Sequence, residues 1–241
     1  MKFYSNKLLM GGLASMAFFA LAGNASAVVI AGYDFSSESV TNTNKFNATA
    51  ANIASAQPGV EASPFTTAGT SSNSQTSISI SAATNTAYIQ GSYTPTIANI
   101  YTGARYFTFS VTLTSGYNLG SLVFQYGGTN LTSSASTTAF GAQIQIGDGA
   151  FANLPVTSGA TIAANTSTYT ETGTYNADLS AYQNITGNVT VRIFAGDNSS
   201  DNGVSARIKS VALNADAIPE PAAAVSLAAG LAVFALRRRR A

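Results

Sequence analysis

Apolar and polar side chains alternate along most of this chain. The pattern is clearest in "RYFTFSVTLT" (105–114), where Phe107, Phe109, Val111 and Leu113 fall on one side and hydroxyl-bearing residues on the other. Such a period of two is the signature of a half-buried strand. Similar runs are "VVIAGYDF" (28–35), "TSISIS" (76–81), "TAYIQGSY" (86–93), "LGSLVFQY" (119–126), "AFGAQIQIG" (139–147), "STYTETGTY" (167–175), "NVTVRIFAG" (188–196) and "VSARIKSVALN" (204–214). Clusters of Gly, Asn, Asp and Ser separate them, as in "SGYNLG", "YGGTN", "GDGA" and "GDNSSDNG", and predict turns. In the last run Ile208, Val211 and Leu213 break strict parity, which predicts a bulge. No stretch between 28 and 217 keeps a 3.6-residue period. The expected fold is therefore all-β, with nine or more short strands in one antiparallel two-sheet β-sandwich.

The two ends follow a different logic. "MKFYSNKLLMGGLASMAFFALAGNASA" (1–27) places Lys2 and Lys7 before an apolar run from Leu8 to Ala22, then Ala25-Ser26-Ala27. This is the layout of a secretory signal peptide, expected as an N-terminal helix that is handled by the Sec translocon and cut by signal peptidase after Ala27. At the other end, Pro219-Glu220-Pro221 precedes a largely apolar segment, Ala222 to Leu236, and then Arg237, Arg238, Arg239 and Arg240. As a helix that segment is about 22 Å long, short of the roughly 30 Å of a hydrocarbon core. The four arginines resist translocation and hold the end of the chain in the cytoplasm. The two prolines keep the peptide around Glu220 extended. The expectation is a short hydrophobic helix that serves as a temporary stop.

Taken together, Pro219-Glu220-Pro221, the apolar segment and the arginine cluster resemble the tripartite PEP-CTERM sorting signal of Gram-negative bacteria. The resemblance implies processing by an exosortase and release from a transient inner-membrane anchor to the cell surface or the exopolysaccharide matrix. It divides the chain into a signal peptide (1–27), a β domain (28–217) and a sorting signal (218–241). Within the domain, "YNADLSAYQNITGNVTVRIFAG" followed by "ARIKSVALNAD" resembles the closing strands of jelly-roll domains found in PEP-CTERM proteins and carbohydrate-binding modules, and "AGYDF" resembles their opening strand. Such last strands often carry acidic residues where this chain has Lys209 and Ser210, so the resemblance does not extend to a calcium site built on them.

Composition narrows the function further. Charged residues make up 9% of the 241, against about 25% in an ordinary soluble domain, so Thr, Ser, Asn and Gln carry the polar surface. Between Val28 and Ile218 five basic residues (Lys45, Arg105, Arg192, Arg207, Lys209) stand against nine acidic ones, a net charge of −4. That balance offers no basic stripe for phosphates, and nucleic acid is excluded as a partner. His and Cys are both absent, which rules out Ser-His-Asp and Cys-His nucleophiles and the usual zinc sites. Glycoside hydrolysis needs only two carboxylates, yet no pair stands out. The reading is no enzyme, no cofactor and no metal.

"DNSSDNG" (197–203) offers oxygens from Asp197 and Asp201, with Asp34 and Glu38 near the first strand, but it lacks the Gly and Glu that a calcium loop needs at its sixth and twelfth positions; a solvated hairpin loop is the expectation. Tyr88, Tyr93, Tyr101, Tyr106, Tyr117 and Tyr126 offer stacking faces for sugar rings, or else simply fill pleated, half-buried surface. Asn47, Asn130, Asn165, Asn184, Asn188 and Asn198 begin N-x-S/T triplets, frequent by chance in so Asn- and Thr-rich a chain. Finally, edge strands are normally protected by lysine, and this domain has only Lys45 and Lys209. The expected role is structural or adhesive, in exopolysaccharide or through self-association, with specific glycan binding as the alternative.

Overall fold

The computed structural model describes residues 27–35, 47–48, 57, 59–68, 77–81, 86–90, 97–102, 106–197 and 203–218. Thirteen strands lie among them: β1 (Val28–Asp34), β2 (Asn47–Ala48), β3 (Val60–Ala62), β4 (Phe65–Ala68), β5 (Ser77–Ser81), β6 (Thr86–Gln90), β7 (Tyr106–Asn130), β8 (Ser136–Ile146), β9 (Ala152–Asn153), β10 (Thr157–Ile162), β11 (Thr166–Asp178), β12 (Ile185–Asp197) and β13 (Val204–Ala217). A short 3-10 segment, Ile97–Thr102, precedes β7. Every pairing is antiparallel, and the strands join into one curled sheet whose main path runs β10-β8-β12-β7-β13-β6-β5. The all-β expectation holds. Among the described residues no helix is long and apolar enough to cross a membrane.

The 25-residue β7 is the spine of the sheet. Tyr117 pairs with Ile185 of β12 on one edge and with Ala217 of β13 on the other. The first edge is filled by β12 and then β11, joined by a turn whose Tyr182 carbonyl accepts from the Leu119 amide at 2.9 Å. The second edge is filled by β4, β3 and then β13. Sequence alone predicted two strands here with a turn at "SGYNLG". The chain instead runs straight through, and "YGGTN" also continues the strand. Its parity changes within the expected turn: Leu113, Tyr117 and Leu119 are buried, then Leu122, Phe124 and Tyr126. The switch falls where Ser121 opposes Asn214 and Leu119 opposes Ala215, leaving Gly120 as the extra residue of a bulge.

The parity break in the last strand is likewise a bulge. Ile208 opposes Tyr126 and Ser210 opposes Gln125, so Lys209 is the unmatched residue. Its ammonium lies 3.9 Å from the Glu171 carboxylate at an exposed position. The connection after β12 is a correction to the expected hairpin. β12 pairs with the first half of β7 and β13 with the second, and neither pairs with the other, so the two strands are not a hairpin. Asp197, expected to be solvated, is buried.

A single large core collects the inward faces of both halves of β7 together with β1, β8, β11, β12 and β13. Aromatic rings dominate it. Phe65 lies 5.3 Å from Tyr33, 5.1 Å from Phe35 and 5.4 Å from Phe107, and Phe124 stacks on Tyr175 at 4.3 Å and 9°. The Tyr33 and Tyr175 hydroxyls stay satisfied by donating to the Ser63 and Pro155 carbonyls at 2.6 and 2.8 Å, as buried phenols require.

Candidate functional site

Alternation along β12 buries Val189, Val191, Ile193 and Ala195 in the core, which turns Thr190, Arg192 and Phe194 to the opposite face. The same rule places Gln143 and Gln145 of β8, and Tyr106, Thr108, Ser110 and Thr112 of β7, on that face. Register then aligns them in rows across the sheet. The longest is Asn153 (β9), Gln143 (β8), Arg192 (β12), Thr108 (β7) and Thr66 (β4), each opposite the next. Beside it run Gln145, Thr190 and Ser110, and beyond those Asn188, Thr112 and Glu61. Thr66, Thr108, Gln143 and Arg192 are half-buried, and Asn153 is exposed.

Arg192 is the centre of this face. Its guanidinium carbon lies 3.6 Å from the centroid of the Phe151 ring and 4.5 Å from that of Tyr106, within the range of cation–π attraction. Tyr106 in turn packs on Phe194 at 5.3 Å, and Phe194 meets the edge of Tyr101 at 5.5 Å. Tyr101 reaches over Gly141, where an added Cβ would lie 2.8 Å from its hydroxyl, and donates that hydroxyl to the Leu154 carbonyl. The segment after β8 is thus strapped down, and it carries Phe151 and Asn153 onto the face. Burial pushes the Tyr101 phenol up.

Hydrogen bonds within the face fix several of these groups. Gln143 donates its amide to Asn153 Oδ1 at 2.7 Å, Gln145 donates to the Gly149 carbonyl at 2.6 Å, and Thr108 donates to the Val191 carbonyl at 2.9 Å. Arg192 makes no ion pair among the described residues, whereas Lys209 faces Glu171. Buried Arg207 donates from Nε and Nη2 to Thr129 Oγ1 at 3.3 and 3.2 Å. Arg192 is therefore a guanidinium oriented by rings and left open at its hydrogen-bonding edge.

The tyrosines divide sharply. Tyr117 and Tyr126 are core residues, Tyr101 supports the strap, and Tyr106 belongs to the face; Tyr93 and the side chain of Tyr88 lie outside the described structure. Sequence reasoning missed Phe151, which sits in a Gly- and Asp-rich turn region with no periodic signal. Of the triplet asparagines, Asn130 is fully buried, with its amide donating to the Ser134 and Ile162 carbonyls at 2.8 and 3.1 Å. Ala27 is exposed at the start of β1. Ala25, Pro219, Glu220, Pro221 and Arg237 to Arg240, and with them both expected terminal helices, lie outside the described residues, as do Glu38 and Asp201. Among the described residues no group of three or more acidic, His or Cys side chains could hold a metal ion.

No protein-family model matches the chain, and no curated protein matches it significantly. Among solved structures it is similar to the CBM22-1 xylan-binding domain of Paenibacillus barcinonensis Xyn10C, at 7% identity and a TM-score of 0.36, over 80% of this chain and 98% of that one. It is similar also to TmCBM61, solved with β-1,4-galactotriose, at 11% identity and a TM-score of 0.30, over 62% and 87% of the two chains. A third likeness is to the enzymatically active domain of bacteriophage CBA120 tailspike protein 4, at 12% and 0.30, over 64% of this chain and 19% of that one. At these TM-scores the traces diverge over much of their length, and no ligand or activity is carried across.

Proposed function

We propose that this protein is exported, processed by an exosortase and delivered to the cell surface or extracellular matrix, where its β domain adheres to polysaccharide. In this reading residues 28–217 form a jelly-roll-like two-sheet sandwich, with the two halves of β7 belonging to opposite sheets. The sorting half rests on the tail: a segment too short for a lasting anchor, capped by four arginines and led by Pro219-Glu220-Pro221.

One observation carries the adhesive half, the row Asn153-Gln143-Arg192-Thr108 with Tyr106 and Phe151 against its arginine. Amide, hydroxyl and guanidinium groups at neighbouring strand positions match the hydroxyl pattern of a sugar chain, and the rings supply apolar faces for its C–H groups. On this reading the face holds a polysaccharide rather than cutting it. Extracellular recovery of a chain truncated before Arg237, shown by mass spectrometry, together with co-sedimentation with the host exopolysaccharide, is the expected result. An intact chain held permanently in the inner membrane refutes sorting, and absence of co-sedimentation refutes adhesion.

The second reading, recognition of one defined glycan, draws on the same row. A glycan array separates the two: one saturable signal lost in Tyr106→Ala favours a specific module, and broad weak binding favours an adhesive matrix protein.

A further inference from the structure

We infer that the Arg192 face selects saccharides bearing a carboxylate, uronic-acid polymers being the class it fits. This rests on the polysaccharide-binding reading and specifies its chemistry. Three observations combine. First, the basic residues among those described are Arg192, Arg207 and Lys209; Arg207 is buried and Lys209 faces Glu171, so among the described residues Arg192 is the cation offered to a ligand. Second, contact with Phe151 and Tyr106 orients the guanidinium plane while leaving its N–H edge without a protein acceptor among the described residues. A guanidinium held in this way suits the two parallel N–H···O bonds of a carboxylate rather than a single hydroxyl. Third, the groups beside it are neutral: Thr108 and Gln143 flank it directly, with Asn153 beyond Gln143 and Thr190 one row away. A polyanionic peptide or nucleic acid calls for several cations in sequence, whereas a uronate ring brings one carboxylate surrounded by hydroxyls.

Glu61, an acid of the same surface, is placed apart. It stands opposite Thr112, four residues along β7 from Thr108, or roughly 14 Å at strand spacing. Asp148 lies in the turn after β8. With a net charge of −4 the domain has no long-range attraction for a polyanion, so binding rests on the short-range Arg192 pair and weakens only mildly with salt.

The test is calorimetric titration of the secreted protein with a galacturonate hexamer, the same oligomer with its carboxyls reduced to alcohols, a sulfated dextran oligomer and poly-glutamate. Tighter binding of the galacturonate than of the other three, by tenfold or more, is the expected result. Arg192→Lys keeps the charge but loses the planar fork, and should weaken galacturonate binding about tenfold while leaving the thermal midpoint near that of the parent. Equal binding of reduced and native oligomers, lost in Tyr106→Ala, overturns carboxylate selection but leaves polysaccharide binding standing. Equal or tighter binding of sulfated dextran or poly-glutamate overturns it in favour of general anion attraction. No binding of any saccharide removes both readings. The reduced oligomer needs no variant, so a folding defect in Arg192→Lys cannot mask the outcome.

Discussion

Gly127→Ala is predicted to be among the most damaging single-methyl additions to the described domain. A Cβ built on Gly127 lies 2.0 Å from the Thr170 carbonyl oxygen and 2.9 Å from the Glu171 Cα, both backbone atoms of β11. Carbon–oxygen contacts settle at about 3.3 Å, so β11 must retreat by about 1.3 Å. A ladder hydrogen bond lengthened that far is no longer one. The two pairings at Thr170↔Gly128 and Glu171↔Gly127 are the ones lost, each at about 1 kcal/mol net; with disturbed packing the cost reaches about 2–3 kcal/mol. For a domain of this size that lowers the melting midpoint by about 4–12 °C. Gly120→Ala is the control, because its Cβ meets nothing closer than 3.5 Å and loses only unfolded-chain freedom, for a change near zero or a gain of about 0.5 kcal/mol. Urea unfolding followed by near-ultraviolet circular dichroism measures both. A loss below about 0.5 kcal/mol at Gly127, or equal effects at the two glycines, would refute the close approach of β11 to β7.

Further expectations concern the core and its phenols. Phe65→Ala empties the middle of the ring cluster with Tyr33, Phe35 and Phe107 and should cost about 3–5 kcal/mol in the same unfolding assay, with Phe65→Leu well below that. Asn130→Ala strands the Ser134 and Ile162 carbonyls and the Thr132 amide, which the Asn130 side chain now satisfies, and should lower stability by about 2–3 kcal/mol. Burial raises the pKa values of Tyr33, Tyr169 and Tyr175 in the folded state. Stability should therefore be fully present below the unfolded phenol value of about 10 and fall as pH rises beyond it, because the unfolded chain releases protons that the fold retains. Melting curves from pH 8 to 11.5 should show that decline, and Tyr33→Phe should make it shallower.

Strand positions were legible in the sequence wherever one face is buried, because burial writes its period directly into residue type. Thus Phe107 to Leu113, Val189 to Ala195 and the bulge at Lys209 were all readable. Pairing order was not. A Gly- and Asn-containing stretch such as "SGYNLG" serves a turn or a bulge equally well, and what separates them is whether β12 and β13 arrive to occupy both edges. The same holds at Asp197 and Gly203, where composition suggests a hairpin but β12 and β13 pair with different halves of β7. Arg192 was visible as an arginine in an alternating strand, but its partner Phe151 comes from a segment ordered by Tyr101 and Leu154, contacts distant in sequence. Conversely, Tyr117 and Tyr126 look like binding aromatics by type and are core residues by position.

The antiparallel match of β1 with β13, Val28 opposite Ala215, brings the start and finish of the domain to a single corner. β13 is also clasped lengthwise, by β7 along one side and by β6 and then β1 along the other. Tension drawn along this strand from Ala217 would load those backbone bonds in shear, many at once, instead of peeling them one by one.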